Sequence, residues 1–300
     1  MAKRHQKKSD SGYKYLFSNK RIFFQLLTSF VDENFIKNLK ISDISRVDKS
    51  FVTKEFARRE ADIIYKVRYQ RKTAFIYVLL EVQSAPDKKI PMRLLNYLTL
   101  LCNKIMENSQ RGKLKNIFPI VLYSGSKKWN VPTNVKDLFE KNIPSKYIPD
   151  FEYFLISERD VPDEKLLKLK NLIAAVFLLE KQQNEKGLRR ALNEVSEFVK
   201  REKLIDAKMF ALWVRNIFET NVSAASIKKL NSVTEVKSMI AVLAEKIKKD
   251  GVKEGERRGM QKGALKKAIE AARRMRRDKL PVKVIARYTG LSVAEIRKLR

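Results

Sequence analysis

Apolar residues recur at helical spacing from Tyr13 to Val31, at Leu16 and Phe17 and then at Phe23, Phe24, Leu27 and Phe30. Ser18 and Asn19 interrupt this pattern and offer a new N-cap, so the spacing predicts two helices. Beyond Phe51 the period changes. Ala61, Ile63, Tyr65, Val67 and Tyr69 alternate with Asp62, Ile64, Lys66 and Arg68, as in a strand with one buried face. Gln70, Arg71 and Lys72 are polar enough for a turn, and Ala74 to Leu80 is then continuously apolar. So short a run, rich in β-branched and aromatic residues, predicts a central strand buried on both sides.

Pro86 closes this unit. A helix is expected from about Lys89 to Asn108, with Pro91 in its first turn and Leu94, Leu95, Leu98 and Leu101 on one side. Ile117 to Tyr123 is the next strand and Phe151 to Ile156 a further one, while everything after Val161 reads as helical. This alternation predicts an α/β fold, a mixed β-sheet flanked by helices and followed by a C-terminal α-helical region. The expected organisation is an α/β core over 9–160, a helical extension over 161–245, a basic helix over 246–277 and a tail over 278–300.

Gly251, Gly255, Gly259 and Gly263 fall every fourth residue and form one smooth stripe on the basic helix. Each glycine costs a helix about 1 kcal/mol, which makes sense where another surface approaches closely. A second copy of the chain, giving a homodimer, is the expected occupant, and a weak linker helix is the alternative. In the tail, Pro281 suits a helix start, Gly290 a turn, and Ser292 with Glu295 a capping box. Ile285, Ala286, Ile296 and Leu299 would form the inner face of a helix-turn-helix. Arg297, Lys298 and Arg300 would then reach phosphates, supported by Lys266, Lys267, Arg273, Arg274, Arg276 and Arg277. A helical hairpin that caps the bundle or joins two subunits is the other reading.

Charge sharpens this picture. There are 65 Lys and Arg against 34 Asp and Glu, a net +31. Such a field captures polyanions, and DNA is the expected partner, although a lysine-rich genome also produces the excess. Composition also excludes much. Cys102 is the single cysteine, which excludes disulfides and cysteine–zinc sites within one chain. His5, in a polar N-terminus, is the single histidine, which argues against Ser-His-Asp triads and zinc–histidine sites. No apolar run approaches the ~20 residues of a membrane span, and the polar start lacks a secretion signal. A cytoplasmic, nucleoid-associated protein without membrane contact is expected.

The chemistry left runs on carboxylates. Asp62 lies on the polar face of its strand, and Glu81 and Gln83 share a face at the end of the next. A tight turn between these strands would bring Asp62 near Glu81. An ionised carboxylate ending a buried strand is costly unless it is paired or holds a cation. Mg²⁺, held by one or two carboxylates and substrate phosphate, would relieve both the burial and the repulsion, and would suit phosphodiester hydrolysis. An ion pair with Lys66 or Arg68 at a sheet edge is the plainer alternative.

Five stretches in order resemble the recombination-promoting Rpn, or YhgA-like, nuclease family. Ser9 to Phe17 resembles its opening helix motif, and Arg59 to Val67 its Asp-Leu-Leu-Tyr-x-Val strand. Leu79 to Ser84 resembles its Leu-Glu-x-Gln-Ser motif, Pro91 to Tyr97 its Arg-x-x-x-Tyr helix, and Pro119 to Gly125, with Trp129 and Pro132, its Pro-Ile-Val-x-Tyr-x-Gly stretch. The resemblance implies a restriction-endonuclease-like core of the PD-(D/E)XK type that cuts DNA with Mg²⁺, with Asp62 and Glu81 as metal ligands. Gln83 stands where that superfamily has lysine; it can orient water or phosphate but supplies no charge. Lys14 or Lys66 would replace that charge, and Asp10, the remaining acid of the opening helix, would be a further metal or water ligand. Arg93 and Tyr97, four apart on one helix, are phosphate contacts or solvated helix surface. The expected activity is a Mg²⁺-dependent DNA endonuclease that promotes recombination or transposition. The alternative is a non-catalytic DNA-binding accessory protein; a ribonuclease-H-like transposase lacks a marked third acid, and RNA is not separated from DNA by charge.

Overall fold

The computed structural model describes residues 11–47, 62–70, 72–81, 85–107, 113–140, 142, 144–182, 185–218 and 222–299. Two compact units divide at residue 244, so each is taken by itself.

The first unit is built on a five-stranded mixed sheet in the order β1 to β5: Ile44–Arg46, Asp62–Tyr69, Lys72–Glu81, Ile117–Tyr123 and Phe154–Ser157. The β1–β2 and β2–β3 pairs are antiparallel, and the β3–β4 and β4–β5 pairs are parallel. β3 is therefore central, as its apolar run predicts, and Phe75, Ile76, Tyr77 and Val78 are all buried. The β2–β3 connection is a tight hairpin in which Gln70 adopts a left-handed φ of 49°.

One face of the sheet carries Ile63, Tyr65 and Val67 and receives the opening helices α1 (11–17) and α2 (Lys20–Phe30). Phe23 stacks on Tyr65 with ring centroids 3.9 Å apart, and the Tyr65 hydroxyl donates to the Phe17 carbonyl at 2.8 Å. Asn19 caps α2, its side chain accepting from the Arg21 and Ile22 amides. After the short helix α3 (Asn34–Lys37) the chain enters β1. The opposite face, Ile64, Phe75, Tyr77 and Val121, packs on α4 (Ile90–Glu107) through Ile90, Leu94, Tyr97, Leu101 and Ile105.

Two strand boundaries depart from the sequence pattern. β1 has only Ile44 buried, too little for a period to be read. The expected strand over Phe151 to Ile156 starts at Phe154, because the preceding residues pair elsewhere. The Val135 amide donates to Phe151 O at 3.0 Å, and the Tyr153 amide to Thr133 O at 3.1 Å.

Helices α5 (Asp163–Leu169), α6 (Leu172–Glu180), α7 (Glu185–Phe198), α8 (Leu204–Ile217) and α9 (Ala224–Lys228) follow. α6 is buried from Leu172 to Leu179, and Phe177 stacks on Phe30 at 4.7 Å. Polar contacts bind these helices to the opening pair. The fully buried Asp206 accepts from Asn19 Nδ2 at 2.5 Å and from Arg21 Nε at 2.7 Å. A buried carboxylate is tolerable when so paired. Gln25 Oε1 accepts from the Leu172 amide at 3.1 Å, and Asn171 donates to Ser29.

The last long helix, α10, runs from Val233 to Arg277 and enters the second unit, Glu245–Arg300. There α11 (Val282–Thr289) and α12 (Val293–Lys298) fold back on its end around Ala272, Ile285, Leu291 and Ile296. Gly290 ends α11 at a left-handed φ of 70°, and Ser292 with Glu295 forms the expected capping box. Among the described residues, nothing lies within 4 Å of a Cβ built on Gly255, Gly259 or Gly263.

Candidate active site

The β2–β3 register sets Asp62 opposite Leu79, two positions before Glu81 at the end of β3. Asp62 opens β2 and Glu81 closes the antiparallel β3, so both positions stand at the same end of the sheet and share one pleat parity. Across the sheet Glu81 pairs with Tyr123, and Tyr123 with Ser157. The ends of three parallel strands thus form one row: Glu81, Tyr123, Ser157. Carboxyl ends of parallel strands are where open α/β sheets hold their ligands. Tyr123 and Ser157 are both buried, and the Ser157 hydroxyl has no hydrogen-bond partner among the described residues.

Glu158 comes directly after this row and is 2% exposed. It accepts a hydrogen bond from the Tyr13 hydroxyl of α1. Burial, then the nearby Glu180, pushes its carboxyl well above the ordinary glutamate range, against smaller opposing effects of Tyr13 and Lys181. Burial and the same Glu158 raise the Tyr13 hydroxyl too. Sequence reasoning missed this acid, though its setting repeats that of Glu81: a carboxylate that closely follows a short apolar strand, Phe154-Leu155-Ile156.

The other candidates fall in different places. Lys14 is half-buried on α1, next to Tyr13. Lys66 is exposed and four residues along β2 from Asp62, about 13 Å at ~3.3 Å per residue, so the register does not bring it to the strand-end row. Arg93 is half-buried and pairs with Asp87 at 3.2 Å. Tyr97 is neither a phosphate contact on the surface nor solvated. It is 3% exposed and packs beside Tyr77 with ring centroids 6.0 Å apart. Asp10 and Gln83 lie outside the described residues, as do the side chains of Asp62 and Glu81. Among the described residues no group of three or more His, Cys, Asp or Glu could hold a metal. Two acidic residues assigned by the register to one strand end are nevertheless the donor type that a hard divalent cation accepts.

In the second unit, Arg297 and Lys298 are exposed in the last turn of α12. Arg276 has another task. Its guanidinium donates to the Ile296 and Leu299 carbonyls, closing the end of α12 and leaving Arg273 and Arg277 beside it.

The model of the family described as "Putative transposase, YhgA-like" matches residues 7–209, more than half of the chain. The chain belongs to this family. The match takes in the whole sheet and ends within α8, so the second unit of this YhgA-like protein lies beyond it. Among curated proteins, the chain is 23% identical over 174 residues to "Recombination-promoting nuclease RpnD" of Escherichia coli O157:H7, covering 54% of this chain and 63% of that one. It is 24% identical over 147 residues to "Recombination-promoting nuclease RpnC" of Escherichia coli K12, covering 49% and 48%. It thus spans less than two thirds of either of these relatives. A third, "Inactive recombination-promoting nuclease-like protein RpnE" of the same strain, is 20% identical over 252 residues, 82% of each chain. No solved structure matches. Among the described residues of the YhgA-like chain, no helix is long and apolar enough to cross a membrane.

Proposed function

We propose that the chain is a Mg²⁺-dependent DNA endonuclease that promotes recombination, with Asp62 and Glu81 as its metal ligands. The observation that carries the reading is the β2–β3 register, which assigns both acids to one end of the sheet in a chain of the YhgA-like family. Relatives named recombination-promoting nucleases support it.

Bound at these carboxylates, Mg²⁺ would lower the pKa of an attacking water and offset charge building on the scissile phosphate. Asp62 and Glu81 bind and orient, and their paired negative charge makes the strand end a cation site instead of an anion site. Gln83 orients water or phosphate. Lys14 supplies positive charge, and Arg93 extends the phosphate contacts from α4. Arg297 and Lys298 hold duplex DNA at the tail, where the second helix of a helix-turn-helix meets its groove. The glycine stripe of α10 joins two copies, so that the active form is a homodimer in the cytoplasm, on the nucleoid.

Nicking of supercoiled plasmid tests this reading. Purified protein is expected to cut with Mg²⁺ and not with EDTA or Ca²⁺, while Asp62→Ala and Glu81→Ala abolish cutting at unchanged thermal stability. The existence of an RpnE-like relative named inactive makes the second reading concrete. Well-folded protein that shifts DNA and cuts with no metal would be a DNA-binding accessory protein, with Glu81 reduced to a structural ion pair.

A further inference from the structure

We propose that the Tyr13–Glu158 hydrogen bond is a positioning latch, which ties the opening helix that carries Lys14 to the end of β5, the last strand of the row that contains Glu81. The inference rests on the nuclease reading for its catalytic consequence, but its geometry stands by itself.

Three observations meet at this bond. Glu158 directly follows Ser157, which the register joins through Tyr123 to Glu81, so the acid is anchored to the row and not to a loose loop. Its side chain is 2% exposed, and Tyr13 is 1% exposed, so the bond is shielded from water. Such a bond is stronger than an exposed one, and costly to break when only one partner is removed. The third observation is where the bond falls on the helix. The later part of the opening segment has other ties. Phe17 O accepts from Tyr65, and Asn19 is bound to Asp206. At the start of α1, Gly12 packs against Trp213, and Tyr13 makes a hydrogen bond that reaches the sheet end.

Glu158 has no need to touch substrate for this role. It acts through Tyr13, and a neutral group of the same shape serves as well as the acid. Burial beside Glu180 favours that neutral form, and the Lys181 ammonium is engaged by Val161 O and Asp163, each at 2.6 Å.

The test uses the full chain, comparing wild type with Tyr13→Phe, Glu158→Ala and Glu158→Gln. Two readouts are taken, amide hydrogen exchange of residues 11–17 without DNA and Mg²⁺-dependent plasmid nicking. In Tyr13→Phe and Glu158→Ala, exchange of 11–17 is expected to quicken about tenfold. In both, kcat is expected to fall about tenfold with little change in KM, because the helix is held less accurately. Glu158→Gln restores both, which a carboxylate with chemistry of its own would not allow. Tyr13→Phe keeps the aromatic packing and so answers even where Glu158→Ala fails to fold. Unchanged exchange in Tyr13→Phe overturns the latch, and so does a Glu158→Gln protein as impaired as Glu158→Ala. Wild-type protein that cuts nothing overturns the nuclease reading instead, and the exchange pattern then decides the latch alone.

Discussion

At Gly12, space rather than backbone conformation sets the requirement. A methyl group built there would stand 2.8 Å from Trp213 Nε1, 3.0 Å from its Cδ1 and 3.3 Å from Ile217 Cδ1. The indole is buried and rigid, so it cannot swing away as a flexible side-chain end would. Gly12→Ala is therefore expected to cost about 1–3 kcal/mol by overpacking, read as a lower midpoint in chemical denaturation. The Gly12→Ala, Trp213→Phe pair should cost less than the sum of its parts, because the smaller ring removes the clash. Glu158 makes a different prediction, about pH. Its folded carboxyl holds its proton well above the ordinary range, through burial first and Glu180 second, opposed by Tyr13 and Lys181. Once pH passes the unfolded value, near 4.3, the unfolded chain releases that proton while the fold keeps it. Stability then falls as pH rises towards the raised folded value. The contribution is complete at acid pH and lost on the alkaline side. Glu158→Gln carries no such proton, so its unfolding free energy is expected to decline less than that of wild type between about pH 5 and pH 8. Parallel curves for the two proteins would contradict the shift.

Among the elements, what could be read from sequence tracks how much of each is buried. β3 is plain because both its faces are covered, which leaves an uninterrupted apolar run. β1 left no mark, since one buried residue in three sets no period. The Phe151 to Tyr153 stretch has the composition of a strand, but its backbone partners are Thr133 and Val135 instead of β4. Composition is blind to that choice. For α4, pairing Arg93 with Tyr97 four residues on put the tyrosine on the wrong side. Tyr97 is also three residues after Leu94 and four before Leu101, the spacing of the buried stripe it joins. In the candidate site, the two strand-end acids were legible because Asp62 sits on the polar face of an alternating strand and Glu81 ends an apolar run. Glu158 was not, since its strand is four residues long and its partner Tyr13 is far away in sequence. The glycine stripe of α10 supports a prediction at this scale. Among the described residues, nothing comes within 4 Å of a Cβ built on Gly255, Gly259 or Gly263. If a second copy packs there, Gly259→Leu holds the partner helix away, and the expected result is a shift from dimer to monomer in sedimentation. An unpartnered helix would instead keep its mass and gain about 1 kcal/mol of helix stability from losing a glycine.

Over the whole molecule, charge is unevenly shared between the two units. Residues 245–300 hold 19 Lys and Arg against 7 Asp and Glu, a net +12, out of +31 for the chain. Less than a fifth of the residues thus carries more than a third of the net charge. The unit has its own apolar core, and Arg276 is occupied by carbonyl oxygens, so part of this charge is structural. Arg297 and Lys298 are different: both are exposed at the end of α12. If both neutralise phosphates, binding to duplex DNA should depend on salt with a slope of about −0.9 in log K per log salt for each contact. Changing both to alanine is expected to flatten that slope by about two and to weaken binding at every sequence tested. Asp62→Ala and Glu81→Ala should leave the slope intact or steepen it slightly, since they remove negative charge. Binding measured by fluorescence anisotropy from low to moderate salt, in EDTA so that nothing is cut, separates the two sets of variants. An unchanged slope in the double variant would mean that the tail does not hold the duplex. Positive charge on the first unit would then be left to do so, and the sheet end would have to find its substrate without the second unit.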